Sequence, residues 1–142
     1  MIILDTNVLS EPMKPNSNPV VQAWLDRQTA ETLYLTATSL SELLVDIEIL
    51  PDGKRKEGLD IALKELMTEL FGSRILSFNQ QAALAYAPLI SRARSSGYLI
   101  SVAVGQIAAI AIVHGFTIAT RDVAPFIAAG VPVINPWEQE AL

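Results

Sequence analysis

The 142-residue sequence contains no cysteine. That excludes disulfides, iron–sulfur clusters and zinc held by thiolates, and it fits a reducing compartment. Histidine occurs once, at His114. Ser-His-Asp catalysis, histidine-ligated metals and haem therefore have almost nothing to work with. Basic residues are outnumbered, ten Lys and Arg against fifteen Asp and Glu, for a formal charge of −5. No global attraction to nucleic acid or to an anionic membrane follows from such a balance, so a phosphate substrate must be gripped locally. Long hydrophobic runs are also missing. The most apolar stretch, Ile100 to Val113, is interrupted by Gly105 and Gln106 and falls short of the ~20 residues that span a bilayer. Met1-Ile-Ile-Leu-Asp has neither the basic region nor the apolar core of a signal peptide. The expectation is a cytoplasmic protein with no membrane partner.

What is present is apolar in short, punctuated pieces. Hydrophobic residues make up 51% of the chain, enough to bury a core in one domain over 1–142 without staples. Ile2-Ile3-Leu4 is too brief for a helix and reads as a buried strand ending in polar Asp5-Thr6-Asn7, with a proline-punctuated loop behind it. Strands are also expected at Leu33–Leu35, Arg74–Leu76, Phe116–Ala119 and Val131–Ile134. Helices are expected from Pro19 to about Arg27, from a Thr38 or Ser39 cap through Ile47, and from Lys54 to Phe71. Two more run from Asn79 to Ser95, with Pro88 as a kink, and from a Ser101 cap to Gly115; a short helical turn precedes Gly130. Buried strands alternating with helices give an α/β fold, a parallel sheet covered on both faces.

In such sheets chemistry gathers at the carboxyl ends of the strands. Two expected strands end in acids flanked by polar residues, Leu4-Asp5-Thr6-Asn7 and Ala119-Thr120-Arg121-Asp122, and Glu42 lies early in the helix after the second strand. Three carboxylates without histidine or cysteine form a hard oxygen donor set, suited to Mg²⁺ or Mn²⁺ and to metal-assisted phosphodiester hydrolysis. Each acid also has a structural reading. Asp5 and Asp122 stand where aspartate caps a helix, and Ser39-Leu40-Ser41-Glu42 matches a capping box.

Met1-Ile-Ile-Leu-Asp-Thr-Asn-Val-Leu-Ser-Glu-Pro, Ser39-Leu-Ser-Glu-Leu, the Leu50-Pro-Asp-Gly-Lys-Arg-Lys segment, Ala119-Thr-Arg-Asp and Val133-Ile-Asn-Pro-Trp together resemble the PIN-domain nucleases. They are similar in particular to toxins of the VapC and FitB type, which belong to type II toxin–antitoxin systems and include plasmid-stability proteins. The likeness runs from Met1 to about Trp137. It implies a three-layer α/β/α domain with a five-stranded parallel sheet of order 3-2-1-4-5. It implies a Mg²⁺- or Mn²⁺-dependent endoribonuclease acting on RNA. It further implies a cognate antitoxin of the VapB or FitA kind, a homodimer, and higher assembly with the antitoxin. Carried over by position, Asp5, Glu42 and Asp122 would be metal ligands and catalytic residues, supported by Thr6, Asn7 and Thr120. Arg121 is placed to orient either Asp122 or a substrate phosphate.

One departure stands out. The resemblance implies a further aspartate at position 104, and this chain has Val104; no Asp or Glu occurs between Glu69 and Asp122 to replace it. Valine cannot coordinate a cation, so an impaired nuclease is expected, with an inactive module that still binds antitoxin as the alternative. Asp46, four residues after Glu42, shares its helix face, and a solvated surface role is expected for it. A phosphatase using Asp5 as nucleophile fails because position 7 is Asn7 and no lysine follows Lys64. Lys54-Arg55-Lys56 reads as a solvated helix start, His114 as a helix-end residue, and Trp24 and Trp137 as packing or interface residues.

Overall fold

The computed structural model describes residues 1–139, so the final residues 140–142 of the expected domain lie outside the described ones. Strand β1 (Ile2–Leu4) is central, with β2 (Leu33–Thr36) on one side and β4 (Thr117–Ala119) on the other. Strand β3 (Ile75–Leu76) adds to β2 and β5 (Val133–Ile134) to β4. All four pairings are parallel, giving the order 3-2-1-4-5. The register sets Ile3 beside Tyr34 and Ile118, and Leu4 beside Ala119.

Helices fill every connection, as parallel strands require. They are α1 (Thr6–Ser10) and α2 (Pro19–Asp26) after β1, then α3 (Ala37–Glu48) and α4 (Lys54–Glu65) after β2. Next come α5 (Gln80–Ser95) and α6 (Val102–His114) after β3, and α7 (Val123–Ala128) after β4. Ile3 and Leu4 are adjacent in sequence and fully buried, yet they enter different cores, because side chains of a strand alternate between faces. One core gathers Ile3, Leu89, Ile107, Ile110, Ile118 and Phe126; the other gathers Leu4, Val8, Trp24, Leu35, Leu63 and Phe71. The result is the three-layer architecture.

Helix α6 buries Gly105 and the run Ile107–Ala111, so it is apolar nearly all round and packs as an interior element. A Cβ added at Gly105 would stand 2.7 Å from Tyr86 Cε2 and 3.0 Å from Ile90 Cδ1. Glycine is therefore what lets α6 approach α5. Gly115 ends α6 in the left-handed conformation, at φ 70°.

The structure departs from the sequence expectations in three places. The stretch after β1 is not all loop: the Asp5 side chain accepts the Thr6 N–H and starts α1, followed by a 3₁₀ turn, Glu11–Met13. Helix α3 begins earlier than expected, because Thr36 Oγ1, rather than Thr38 or Ser39, accepts the Ser39 N–H at 3.0 Å. Ser39 lies inside the helix, fully buried, with no hydrogen-bond partner for its hydroxyl among the described residues. The end of the expected Lys54–Phe71 helix is wound as a π-helix over Leu66–Phe71. Pro88 lies within α5, which continues to Ser95. No described helix is long and apolar enough to cross a membrane.

Candidate carboxylate site

Asp5, Glu42 and Asp122 reach the carboxyl edge of the sheet by three routes. Asp5 directly follows β1, and its backbone N–H extends the ladder to Ala119 O at 2.9 Å. Its Oδ1 accepts the Thr6 N–H at 2.9 Å and its Oδ2 accepts the Thr120 hydroxyl at 2.8 Å. Asp5 therefore caps α1 and also faces the neighbouring strand end. Thr120 is fully buried, and its oxygen in turn accepts the Asp122 N–H at 3.1 Å. A second tie joins the same loops, the Arg121 N–H to Asn7 Oδ1 at 3.3 Å. The loop carrying Asp122 is thus held to the loop carrying Asp5 by Thr120 and Asn7. Thr6 contributes its backbone N–H.

The capping readings are resolved differently for each acid. Asp122 precedes α7, but its side chain makes no cap bond, which leaves the carboxylate unengaged at the exposed edge. Glu42 cannot belong to a Ser39 capping box, because Thr36 is the residue that caps α3. Glu42 lies in the second turn of α3, one turn before Asp46.

Burial and neighbouring charge both act on these acids. Burial pushes the Asp5 carboxyl above its ordinary 3.8; bonds from Thr120 and Thr6 oppose this, and the Asp122 charge adds to it. Glu42 is raised above 4.5, first by partial desolvation and then by the charges of Asp5 and Asp46. All donors are oxygen, the type that hard divalent cations take, and a dication would relieve both burdens. The donor chemistry fits Mg²⁺ or Mn²⁺. The geometry is not a closed cage: among the described residues no three Asp, Glu, His or Cys side chains converge to hold an ion.

Position 104 lies in the first turn of α6. That turn stands near the start of α3, because the Thr38 hydroxyl meets Gln106 Oε1 at 3.0 Å. Val104 is half-buried against the core shared by α5 and α6, and its N–H goes to the capping Ser101 hydroxyl at 3.2 Å. It brings no donor to the site. Asp46 is exposed, as expected, and with Leu43, Ile47, Leu59 and Arg55 it lines a cavity of about 230 Å³ that none of Asp5, Glu42 and Asp122 lines.

Arg121 makes no ion pair with Asp122. Its guanidinium carbon lies 5.1 Å above the centre of the Trp137 ring, and its charge reaches Glu11. Trp137 packs against the core that holds Leu4, Val8 and Trp24, so its packing role holds, with the added task of carrying Arg121. The sequence reading passed over Glu11, which is buried. It accepts the Asn18 N–H at 3.1 Å and pairs with Lys14 at 3.0 Å. Its signal was the lysine three residues on. Lys56 bonds Glu48 O and Asp52, consistent with a solvated helix start, and His114 lies 5.3 Å from the Phe116 ring at the end of α6.

Comparison with known proteins gives a consistent neighbourhood. The family model described as PIN domain matches residues 2–130. The chain is 46% identical over 138 residues to plasmid stability protein StbB of Pseudomonas syringae pv. tomato, covering 97% of this chain and 99% of that protein. Over 138 residues it is 45% identical to VapC ribonuclease Y4jK of Sinorhizobium fredii, with the same coverage. It is also 45% identical over 137 residues to toxin FitB of Neisseria gonorrhoeae, covering 96% and 99%. The structure of FitAB bound to the IR36 DNA fragment superposes with a TM-score of 0.94 at 43% identity, covering 99% of both chains.

Proposed function

Because this chain belongs to the PIN-domain family and is of the VapC and FitB toxin type, we propose that it is the toxin of a toxin–antitoxin pair, built as an endoribonuclease. The reaction is hydrolysis of RNA phosphodiester bonds, and the partner is a cognate antitoxin of the VapB or FitA kind. A homodimer that assembles further with the antitoxin belongs to the same reading, as does residence in the cytoplasm and a single PIN domain over 1–142.

The observation that carries the catalytic part is the Asp5–Thr120–Asp122 linkage. It joins two acids from distant parts of the chain and leaves the Asp122 carboxylate free of capping. Asp5, Glu42 and Asp122 would hold Mg²⁺ or Mn²⁺. A bound cation would supply water activation and neutralise charge developing on the phosphate oxygens. Thr120 keeps one lone pair of Asp5 Oδ2 directed at β4 and sets the Asp122 backbone. Thr6 fixes the Asp5 carboxylate through its backbone N–H, and Asn7 ties the two loops together.

Val104 leaves one carboxylate fewer than the resemblance implies. The expected consequence is weak cation binding and slow cleavage, since anionic ligands offset the dehydration of the ion. Val104 packing into the α5–α6 core, with no three carboxylates converging among the described residues, also favours the alternative of an inactive module that retains antitoxin binding. Cleavage of structured RNA with Mg²⁺ or Mn²⁺, comparing the chain with V104D and D5N, separates the two. Slow cleavage that D5N abolishes and V104D accelerates supports the impaired nuclease. Activity in V104D alone supports the binding module. If V104D is silent on every RNA tried, the nuclease reading fails.

A further inference from the structure

The carboxylate site needs a cation of the protein's own to meet a polyanionic strand, and Arg121 is placed for that task. It lies between Thr120, which bonds Asp5, and Asp122. Its backbone is fixed by Asn7, and its guanidinium rests over Trp137. Stacking on an aromatic face orients a guanidinium without engaging its N–H groups, which point outward in the plane of the fork. Among the described residues the Arg121 side chain donates no hydrogen bond and forms no ion pair; the acid its charge reaches, Glu11, already holds Lys14 at 3.0 Å. Arg74, by contrast, bonds the Leu33 and Leu70 carbonyls, and Lys56 and Lys64 pair with Asp52 and Asp60. Arg121 is exposed, lies over Trp137 and has no hydrogen-bond or ion-pair partner among the described residues.

We infer that Arg121, aimed by Trp137, grips a backbone phosphate of the RNA strand next to the one being cut. The inference rests on the ribonuclease reading and names the contact that seats its substrate. The guanidinium lies over Trp137 and its charge reaches Glu11, and it does not pair with the adjacent Asp122. The phosphate it meets is therefore a neighbour of the scissile one. Such a contact positions the strand without reading its bases.

Because the contact is blind to sequence, a random-sequence pool of short, fluorescein-labelled single-stranded RNA is a sufficient probe. Binding is followed by fluorescence polarisation over a salt series, with Ca²⁺ present to screen the carboxylates and intact RNA verified on a gel. The melting temperature of every variant is measured alongside. R121Q is expected to weaken binding about tenfold at low salt, the size of a lost charge-assisted bond. It should also flatten the slope of log K against log salt by about 0.7, the loss of one phosphate contact on a single strand. R121K, which keeps the charge and loses the fork, should restore the slope but only part of the affinity. W137L should weaken binding less than R121Q and leave the slope unchanged. If R121Q binds RNA as the unaltered chain does while melting earlier, Arg121 only fastens the Asn135–Trp137 turn and the inference is overturned. If the unaltered chain binds no RNA at all, the ribonuclease reading falls and takes this inference with it.

Discussion

Thr120 and Asp5 stand 115 residues apart in the chain and are joined by a 2.8 Å hydrogen bond between a fully buried hydroxyl and a nearly buried carboxylate. The same hydroxyl accepts the Asp122 N–H, so one threonine sets the relation between two acids that follow adjacent strands. T120V removes the donor to Asp5 and the acceptor for Asp122 together. It should destabilise the fold by about 1–3 kcal/mol, as loss of buried hydrogen bonds does, and raise the Asp5 carboxyl further. T120S should restore both properties. Thermal melts and an Asp5 carboxyl titration by NMR provide the check; an Asp5 titration unmoved in T120V would count against the linkage.

Cation affinity is expected to respond most to position 104. V104D should tighten Mn²⁺ binding by at least roughly tenfold to a hundredfold, since losing even a partner of a metal ligand costs a site that much. Stability should change little. Loss of part of a half-buried valine costs about 1 kcal/mol, and aspartate in the first turn of α6 returns about 0.3–1 kcal/mol against the helix dipole. Isothermal calorimetry with Mn²⁺ and a parallel melt measure both; equal affinities would remove position 104 from the site.

The raised Asp5 carboxyl has a pH signature. A group whose folded value lies above its unfolded 3.8 stabilises the fold when protonated, and the contribution fades as pH rises through the folded value. Glu11, held below 4.5 first by Lys14, acts oppositely: its contribution is present above 4.5 and is lost as pH falls through its lowered value. In metal-free buffer, the melting temperature of the unaltered chain minus that of D5N should therefore fall as pH rises from about 4 towards neutrality. A difference independent of pH would show that Asp5 carries no such penalty.

Gly105 is expected to be intolerant for a reason unrelated to catalysis. A methyl group there meets Tyr86 and Ile90 at 2.7 and 3.0 Å, so α5 and α6 must separate or the Tyr86 ring must move. G105A should destabilise by about 1–3 kcal/mol, the usual size of overpacking. Chemical denaturation measures it, and an unchanged midpoint would mean that the ring yields freely.

Much of the fold was legible because its signals are local. Ser101 caps α6 as expected, Asn79 caps the helix that was expected to begin at it, and Gly115 ends α6 as a left-handed glycine. The misplaced start of α3 shows the limit of such reading. Thr36, Thr38 and Ser39 are all competent caps, and the one that serves is the residue at which β2 stops pairing. The short α1 was missed because it begins where the strand ends, with Asp5 serving both elements.

The sequence by itself determined which side chains were available: two acids at polar strand ends and a third early in a helix, no soft ligands, and a valine at position 104. Spacing along the chain also limited the sheet to short strands joined by helices. Only the tertiary structure decided what each acid does. Asp5 caps α1 and faces β4, Asp122 caps nothing, and Glu42 is released from a capping box by the true cap at Thr36. Tertiary structure likewise carried Arg121 away from Asp122 and onto Trp137. The physical reason is that a hydrogen bond or a stacked cation depends on distance in space. Parallel pairing of β1 with β4 brings residues 115 positions apart within bonding range, and no local pattern records that separation.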